Sequence, residues 1–127
     1  MNSKDKAYLS VSAGIEKKGS DPVILDLREL FFITDYFIIL SGNSDRHVRS
    51  IADFIEEVLY KKGFLPLSIE GFSEGKWILM DYDDIIIHIF QKEVREFYDL
   101  EGLWIDVPRE DVYEEELIKI MKGRNLL

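Results

Sequence analysis

Residues 76–90 read KWILMDYDDIIIHIF, and the reading of this stretch decides the fold. Two β-rich runs, 76–82 and 85–90, are separated only by Asp83-Asp84, residues that favour turns, so they form the arms of a hairpin. The short connection pairs Tyr82 with Ile85, Asp81 with Ile86, Met80 with Ile87, Leu79 with His88, Ile78 with Ile89 and Trp77 with Phe90. Successive side chains on a strand point to opposite faces. One face therefore carries Ile78, Met80, Ile87 and Ile89, with Tyr82 and Ile85, and belongs against helices. The other carries Trp77, Leu79, Asp81, Ile86, His88 and Phe90. That mixture of large apolar groups with a carboxylate and an imidazole resembles an interface more than a core. Composition leaves two readings open: a second helical layer covers this face, or a partner does.

Working outward, residues 85–90 follow the most regular helix in the chain. Val48, Ile51, Ala52, Ile55, Val58 and Leu59 form an apolar stripe, with Ser44 or Asn43 as N-cap. Lys61-Lys62-Gly63 ends it, with glycine as the left-handed cap. A first helix over 4–18, facing inward through Tyr8, Val11 and Ile15, ends by the same chemistry at Lys17-Lys18-Gly19. Strands are predicted at 23–27, 36–40 and 64–69, the last at an edge or bulge because of Pro66. The segment 29–33 is apolar but too short to assign. A helix starts near Lys92 through Val94, Phe97 and Tyr98; 103–108 reads as extended and packed down by its large side chains. A last amphipathic helix spans 111–122 through Val112, Tyr113, Leu117 and Met121, with acids first and lysines last. Helices alternating with strands and one hairpin give a single α/β domain with a mixed sheet.

The 127 residues include 46% hydrophobic and 13% aromatic side chains, enough for one core. Sixteen basic against 25 acidic residues leave a net charge of −9, unfavourable for direct nucleic-acid recognition and suited to a basic protein partner. The absence of cysteine excludes disulfides, thiol nucleophiles and Cys-rich metal sites, and two histidines, His47 and His88, leave little for a His-based centre. No stretch is long and apolar enough to span a membrane, and the first residues resemble no targeting signal, so the expected setting is cytoplasmic and reducing.

Three stretches invite a chemical reading. Asp81-Tyr82-Asp83-Asp84 suggests a two-metal phosphoryl-transfer site, but Asp83 and Asp84 fall in the turn and alternation separates Asp81 from Tyr82. Ser41-Gly42-Asn43-Ser44 before a helix suggests a phosphate cradle, but Asp45 in the first turn repels anions and a helix cap accounts for the stretch. His47 has no serine elbow to serve. No cofactor or metal is called for.

The order of motifs along the chain is familiar. Asp26-Leu27-Arg28, Thr34-Asp35-Tyr36-Phe37 and Ser41-Gly42-Asn43-Ser44-Asp45-Arg46-His47-Val48 come first. Glu70-Gly71, Lys76-Trp77-Ile78-Leu79, Asp81-Tyr82, His88-Ile89-Phe90 and Arg95-Glu96-Phe97-Tyr98-Asp99-Leu100-Glu101-Gly102-Leu103-Trp104 follow. Together they resemble the Iojap-like ribosomal silencing factors over about residues 4–108. The resemblance implies a five-stranded mixed sheet of nucleotidyltransferase-like topology without catalytic carboxylates. It further implies a non-enzymatic translational repressor that binds the large ribosomal subunit through ribosomal protein L-fourteen, blocks joining of the small subunit, and forms homodimers off the ribosome. Residues 1–108 make the family domain, and 109–127 an acidic, helical C-terminal extension. The departures are Phe31-Phe32, where the family has small or polar residues, and Asp83, where a glycine is common.

On this reading Trp77 and Phe90 are aromatic anchors with Leu79 between them. Asp81 and Glu70 meet basic side chains, His88 bonds at the rim, and Arg95 and Tyr98 contribute from the next helix. The alternative is a metal-dependent nucleotidyltransferase-like enzyme using Asp81, Asp83 and Asp84.

Overall fold

The structure, a computed structural model, describes residues 1–30 and 33–127. Phe31-Phe32, and with them part of the unassigned 29–33 segment, lie outside the described residues.

Helix α1 (Ser3–Glu16) begins with a capping box: the Asn2 side chain accepts from Asp5 N–H at 2.9 Å and the Asp5 carboxylate accepts from Asn2 N–H at 3.2 Å. It leaves through a Schellman turn, Lys18 N–H donating to Ile15 O and Gly19 N–H to Gly14 O, each at 2.8 Å. Lys18, not Gly19, is the left-handed residue, at φ 65°. Glycine is needed one position later because a Cβ there would stand 2.9 Å from the Gly14 carbonyl oxygen.

Strand β1 (Ser20–Asp26), a 3-10 turn at Arg28–Leu30 and strand β2 (Tyr36–Gly42) follow. Helix α2 (Asp45–Lys61) is capped by Ser44, which accepts from His47 N–H at 3.1 Å, and ends at Gly63 with φ 91° as expected. Then come β3 (Ser68–Glu70), β4 (Trp77–Asp81), β5 (Ile85–Gln91), α3 (Lys92–Tyr98), α4 (Leu100–Leu103), β6 (Arg109–Asp111) and α5 (Glu114–Gly123). No helix among the described residues is long and apolar enough to cross a membrane.

The sheet runs β3-β4-β5-β2-β1-β6, with β2 and β5 parallel at its centre and the other neighbours antiparallel. It is the mixed α/β sheet expected, and the hairpin register matches pair for pair from Trp77–Phe90 to Asp81–Ile86. Among the described residues it has six strands rather than five. The sixth comes from beyond Pro108: Arg109 and Asp111 pair with Leu25 and Val23. The helix after it buries Leu117 and Met121, with Val112, in the core that α1 and α2 share, and Arg124 donates to Asp5 at 2.8 Å. Residues 109–127 thus complete the sheet and the core instead of trailing from them.

Two further expectations change. The strand foreseen at 64–69 starts only at Ser68, since Pro66 has no N–H to give a ladder. Residues 103–108 are not extended: α4 and turns carry the chain, Trp104 and Val107 pack inward, and Leu103 and Ile105 stay exposed.

The sheet's two faces are filled unequally. Ile38, Leu40, Ile78, Met80, Ile85, Ile87 and Ile89 are fully buried beneath α1, α2 and α5. On the opposite face Val23, Leu25, Phe37, Ile39 and Phe90 are covered by Leu100, Val94, Trp104 and Val107. That cover thins toward β4, where Trp77, Leu79 and Asp81 remain half-buried.

Met80→Ala is expected to cost about 2–5 kcal/mol of stability through the cavity it leaves, read as a lower urea midpoint. Removal of residues 109–127 strips β1 of a partner and uncovers the α1 core, so the shortened chain should lose its cooperative thermal transition.

Candidate functional site

Strand β4 alternates strictly, Ile78 and Met80 inward, Trp77, Leu79 and Asp81 outward. The half-exposed Trp77 indole lies on Phe90, ring centroids 4.7 Å apart and planes 27° apart, with the Tyr98 ring 4.9 Å away on α3. Its Nε1–H donates to His88 Nδ1 at 3.1 Å. An indole nitrogen only donates, so Nδ1 accepts and the neutral imidazole carries its proton on Nε2. That Nε2 is buried and has no hydrogen-bond partner among the described residues. Phe37 packs against the same imidazole, 4.6 Å between centroids. Burial lowers the His88 pKa to about 4.

Beside Trp77, a groove of about 520 Å³ opens between the loop after β3 and α3, floored by Trp77, Val94, Phe97 and Tyr98 and edged by Glu74, Glu93 and Lys76, whose ammonium is paired with Asp45. Phe97 is 81% exposed and Tyr98 52%. Gly71 permits the loop's approach: at φ 82° it lies against the Trp77 carbonyl, where any Cβ would collide. Glu70 pairs with Leu79 across β3 and β4, so its carboxylate stands on the Trp77 face of the sheet.

The structure therefore brings together Trp77, Leu79, Asp81, Glu70 and Tyr98, and moves three other selected residues inward. Phe90, taken as an anchor, is 0% exposed; it is the surface on which Trp77 rests. His88, placed at the rim, is 3% exposed, because its strand runs under the α3 side of the sheet. Arg95 is buried as a structural tie, donating to Glu101 Oε1 at 3.1 Å and to the Asp21 carbonyl and Ser41 Oγ at 2.9 Å each. Phe97, Gly71, Glu74 and Glu93 join the site unforeseen. One signal was available: Phe97 and Tyr98 are consecutive, about 100° apart on a helix, and a single turn packed on a sheet cannot bury both.

The stretches that invited chemistry are engaged in the fold. Asp84 accepts from Lys6 Nζ at 2.8 and 3.1 Å, and Asp81 Oδ1 accepts from Asp83 N–H at 2.8 Å. Asp83 has φ 74°, and Asp84 N–H donates across it to Tyr82 O at 2.9 Å, a γ-type closure. Thr34 Oγ1 then donates to the Asp83 carbonyl at 2.9 Å. Among the described residues, no three His, Cys, Asp or Glu side chains gather in a way that could hold a metal ion. Asp45 accepts from Gln91 at 2.8 Å and Lys76 at 3.2 Å, while His47 joins Asn43 N–H to the Lys17 carbonyl.

Because His88 holds its proton less readily folded (about 4) than unfolded (near 6.5), the unfolded chain gains protons first as pH falls. Relative to neutral pH, the fold loses nothing through His88 above pH 6.5 and loses stability progressively toward pH 4, by roughly 3 kcal/mol over that span. Urea denaturation between pH 7 and pH 4.5 should show the decline, and His88→Leu should flatten it.

With this geometry established, comparison with known proteins is informative. A family model described as ribosomal silencing factor during starvation matches residues 1–124. The ribosomal silencing factor RsfS of Bacillus subtilis is 37% identical over 112 residues, 88% of this chain and 95% of that protein. The chloroplastic protein Iojap of Zea mays is 32% identical over 92 residues, 72% of this chain and 40% of the maize protein. A crystal structure of a protein from Chromobacterium violaceum superposes with a TM-score of 0.80 at 28% identity, covering 89% of this chain and 94% of that one. The likeness read from the motif order, and the mixed α/β class it implied, agree with the matches, the sheet having one strand more than expected: the chain belongs to the family of ribosomal silencing factors, whose name describes regulatory proteins rather than enzymes.

Proposed function

We propose that this protein represses translation by docking on the large ribosomal subunit through ribosomal protein L-fourteen and standing where the small subunit must approach. The observation that carries the reading is the Trp77 groove. It sets half-exposed and exposed aromatic rings beside the carboxylates of Glu74 and Glu93 and a Lys76 already paired with Asp45, with Glu70 and Asp81 further along the same sheet face, in a chain of net charge −9. Aromatic anchors surrounded by acids suit a basic protein surface. Family membership supports the ribosome as the target. The repression is steric: a bound domain excludes the small subunit without making or breaking a bond. Off the ribosome two copies associate, as the family resemblance implies, and the uncovered aromatic groove offers apolar surface for it.

Within the motifs themselves, most polar residues are occupied internally. Arg28 binds Asp26, Thr34 holds the hairpin turn, Ser41 and Arg95 hold each other, and Asp45 holds Lys76 and Gln91. Among the described residues, Leu79, Glu70 and the outer surface of Trp77 carry no such internal duty, which favours them as contacts.

Trp77→Ala should lower affinity for purified large subunits by about 2–4 kcal/mol, roughly thirty- to thousand-fold, while the domain stays folded. Met80→Ala should do the reverse, losing stability with binding retained by the folded fraction. Co-sedimentation and thermal melts on both variants decide the matter; normal binding by Trp77→Ala removes the groove from the interface. Raising salt from about 0.05 to 0.3 M should weaken binding, mainly through slower association, and a salt-independent affinity would argue against the acidic rim.

A further inference from the structure

The Trp77–His88 pair contains a feature that stability does not explain. His88 occupies a 3% exposed position on β5 and brings a buried Nε2–H that meets no acceptor among the described residues. A buried donor without a partner destabilises a fold, and an apolar side chain of similar volume would remove it. What the imidazole does supply is one acceptor, Nδ1, 3.1 Å from the Trp77 indole nitrogen.

That acceptor selects an orientation. Stacking on Phe90 constrains the plane of the indole, but a stacked ring can slide or turn over while keeping most of its contact. A hydrogen bond is directional and singles out the one placement in which Nε1–H meets Nδ1. The same bond dictates the tautomer, because a proton on Nδ1 would set donor against donor. The buried edge contact with Phe37 holds the imidazole itself in place.

We propose that His88 is a positioning residue for docking: it holds the Trp77 indole in one orientation, so that the anchor is ordered before the partner arrives. This rests on the docking surface proposed above. Preorganising an anchor strengthens binding by sparing the entropy of ordering it on contact. The pair is thus an arrangement in which the fold tolerates an unsatisfied donor for the benefit of the surface.

The consequence is a loss of binding without a loss of stability, which a purely structural histidine would not produce. At neutral pH, His88→Leu removes the orphaned Nε2–H while the half-exposed Trp77 N–H turns to water for its acceptor, so the variant should melt close to the temperature of the parent, yet bind large subunits about tenfold more weakly. His88→Asn, whose Oδ1 offers an acceptor near the place of Nδ1, should recover most of that loss. In the full-length protein free of ribosomes, the indole N–H of Trp77, told apart from that of Trp104 by a Trp104→Phe variant, should exchange slowly with solvent. It should exchange fast in His88→Leu. In a Trp77→Phe background, with no indole N–H to hold, His88→Leu should cost no further affinity.

Three results would overturn the inference: unchanged binding by His88→Leu, an undiminished loss in the Trp77→Phe background, or a melting temperature of His88→Leu well below the parent's. The two readings separate cleanly. If Trp77→Ala binds normally, the docking surface fails and this inference with it; if Trp77→Ala abolishes binding and His88→Leu leaves it intact, only the inference fails.

Discussion

The antiparallel pairing of β4 with β5 is the constraint on which the site depends. Once Ile78 and Met80 are sealed against the helical layer with Ile87 and Ile89, the two-residue period of the strand sends Trp77, Leu79 and Asp81 to the other face. A one-residue slip of β4 would turn the Asp81 carboxylate inward and Ile78 and Met80 outward, so the register is strongly held. The parallel pairing of β5 with β2 then locks that hairpin into the middle of the sheet, where both faces are filled. The outward face of β4 is therefore a fixed platform, held by the core beneath it.

On that platform, the uneven second layer makes the difference between core and surface. Leu100, Trp104 and Val107 cover β1, β2 and the Phe90 end of β5 and go no further. Trp77 stands at the border. It rests on a fully buried ring, touches an exposed one, and reaches a buried imidazole with its only polar atom. Large amphipathic side chains at such borders combine apolar area with few rotatable bonds, the properties that binding anchors need.

Charge is distributed with similar division of labour. A net charge of −9 does not mean unpaired acids throughout: Asp5, Asp45, Asp84 and Glu101 each meet a cation that ties two parts of the chain, and Asp26 holds its near neighbour Arg28. The Arg95–Glu101 pair is the most buried of these and joins α3 to the following turn, with Asp21 and Ser41 completing the guanidinium's bonds. The acids around the groove, Glu70, Glu74 and Glu93, are exposed instead, free to set the field that a basic partner meets.

Local sequence rules determined much of this protein by themselves. The pairing of the hairpin, the apolar stripe and Ser44 cap of α2, the mixed α/β class and the motif order that marks the family are all short-range patterns, and side-chain alternation and capping act over a few residues. Alternation also put Trp77, Leu79 and Asp81 on one face, while leaving open whether a second layer covers it; Glu70 and Tyr98 came from the family reading. Tertiary structure alone decided the rest. It decided that Arg109–Asp111 adds a sixth strand, that Phe90, His88 and Arg95 lie inside, and that Phe97 lies outside. Alternation assigns a residue to a face, but how far a covering layer extends over that face depends on segments distant in the chain. For Phe90 and His88 those segments are 94–107 and β2, whose positions no periodicity within the hairpin encodes.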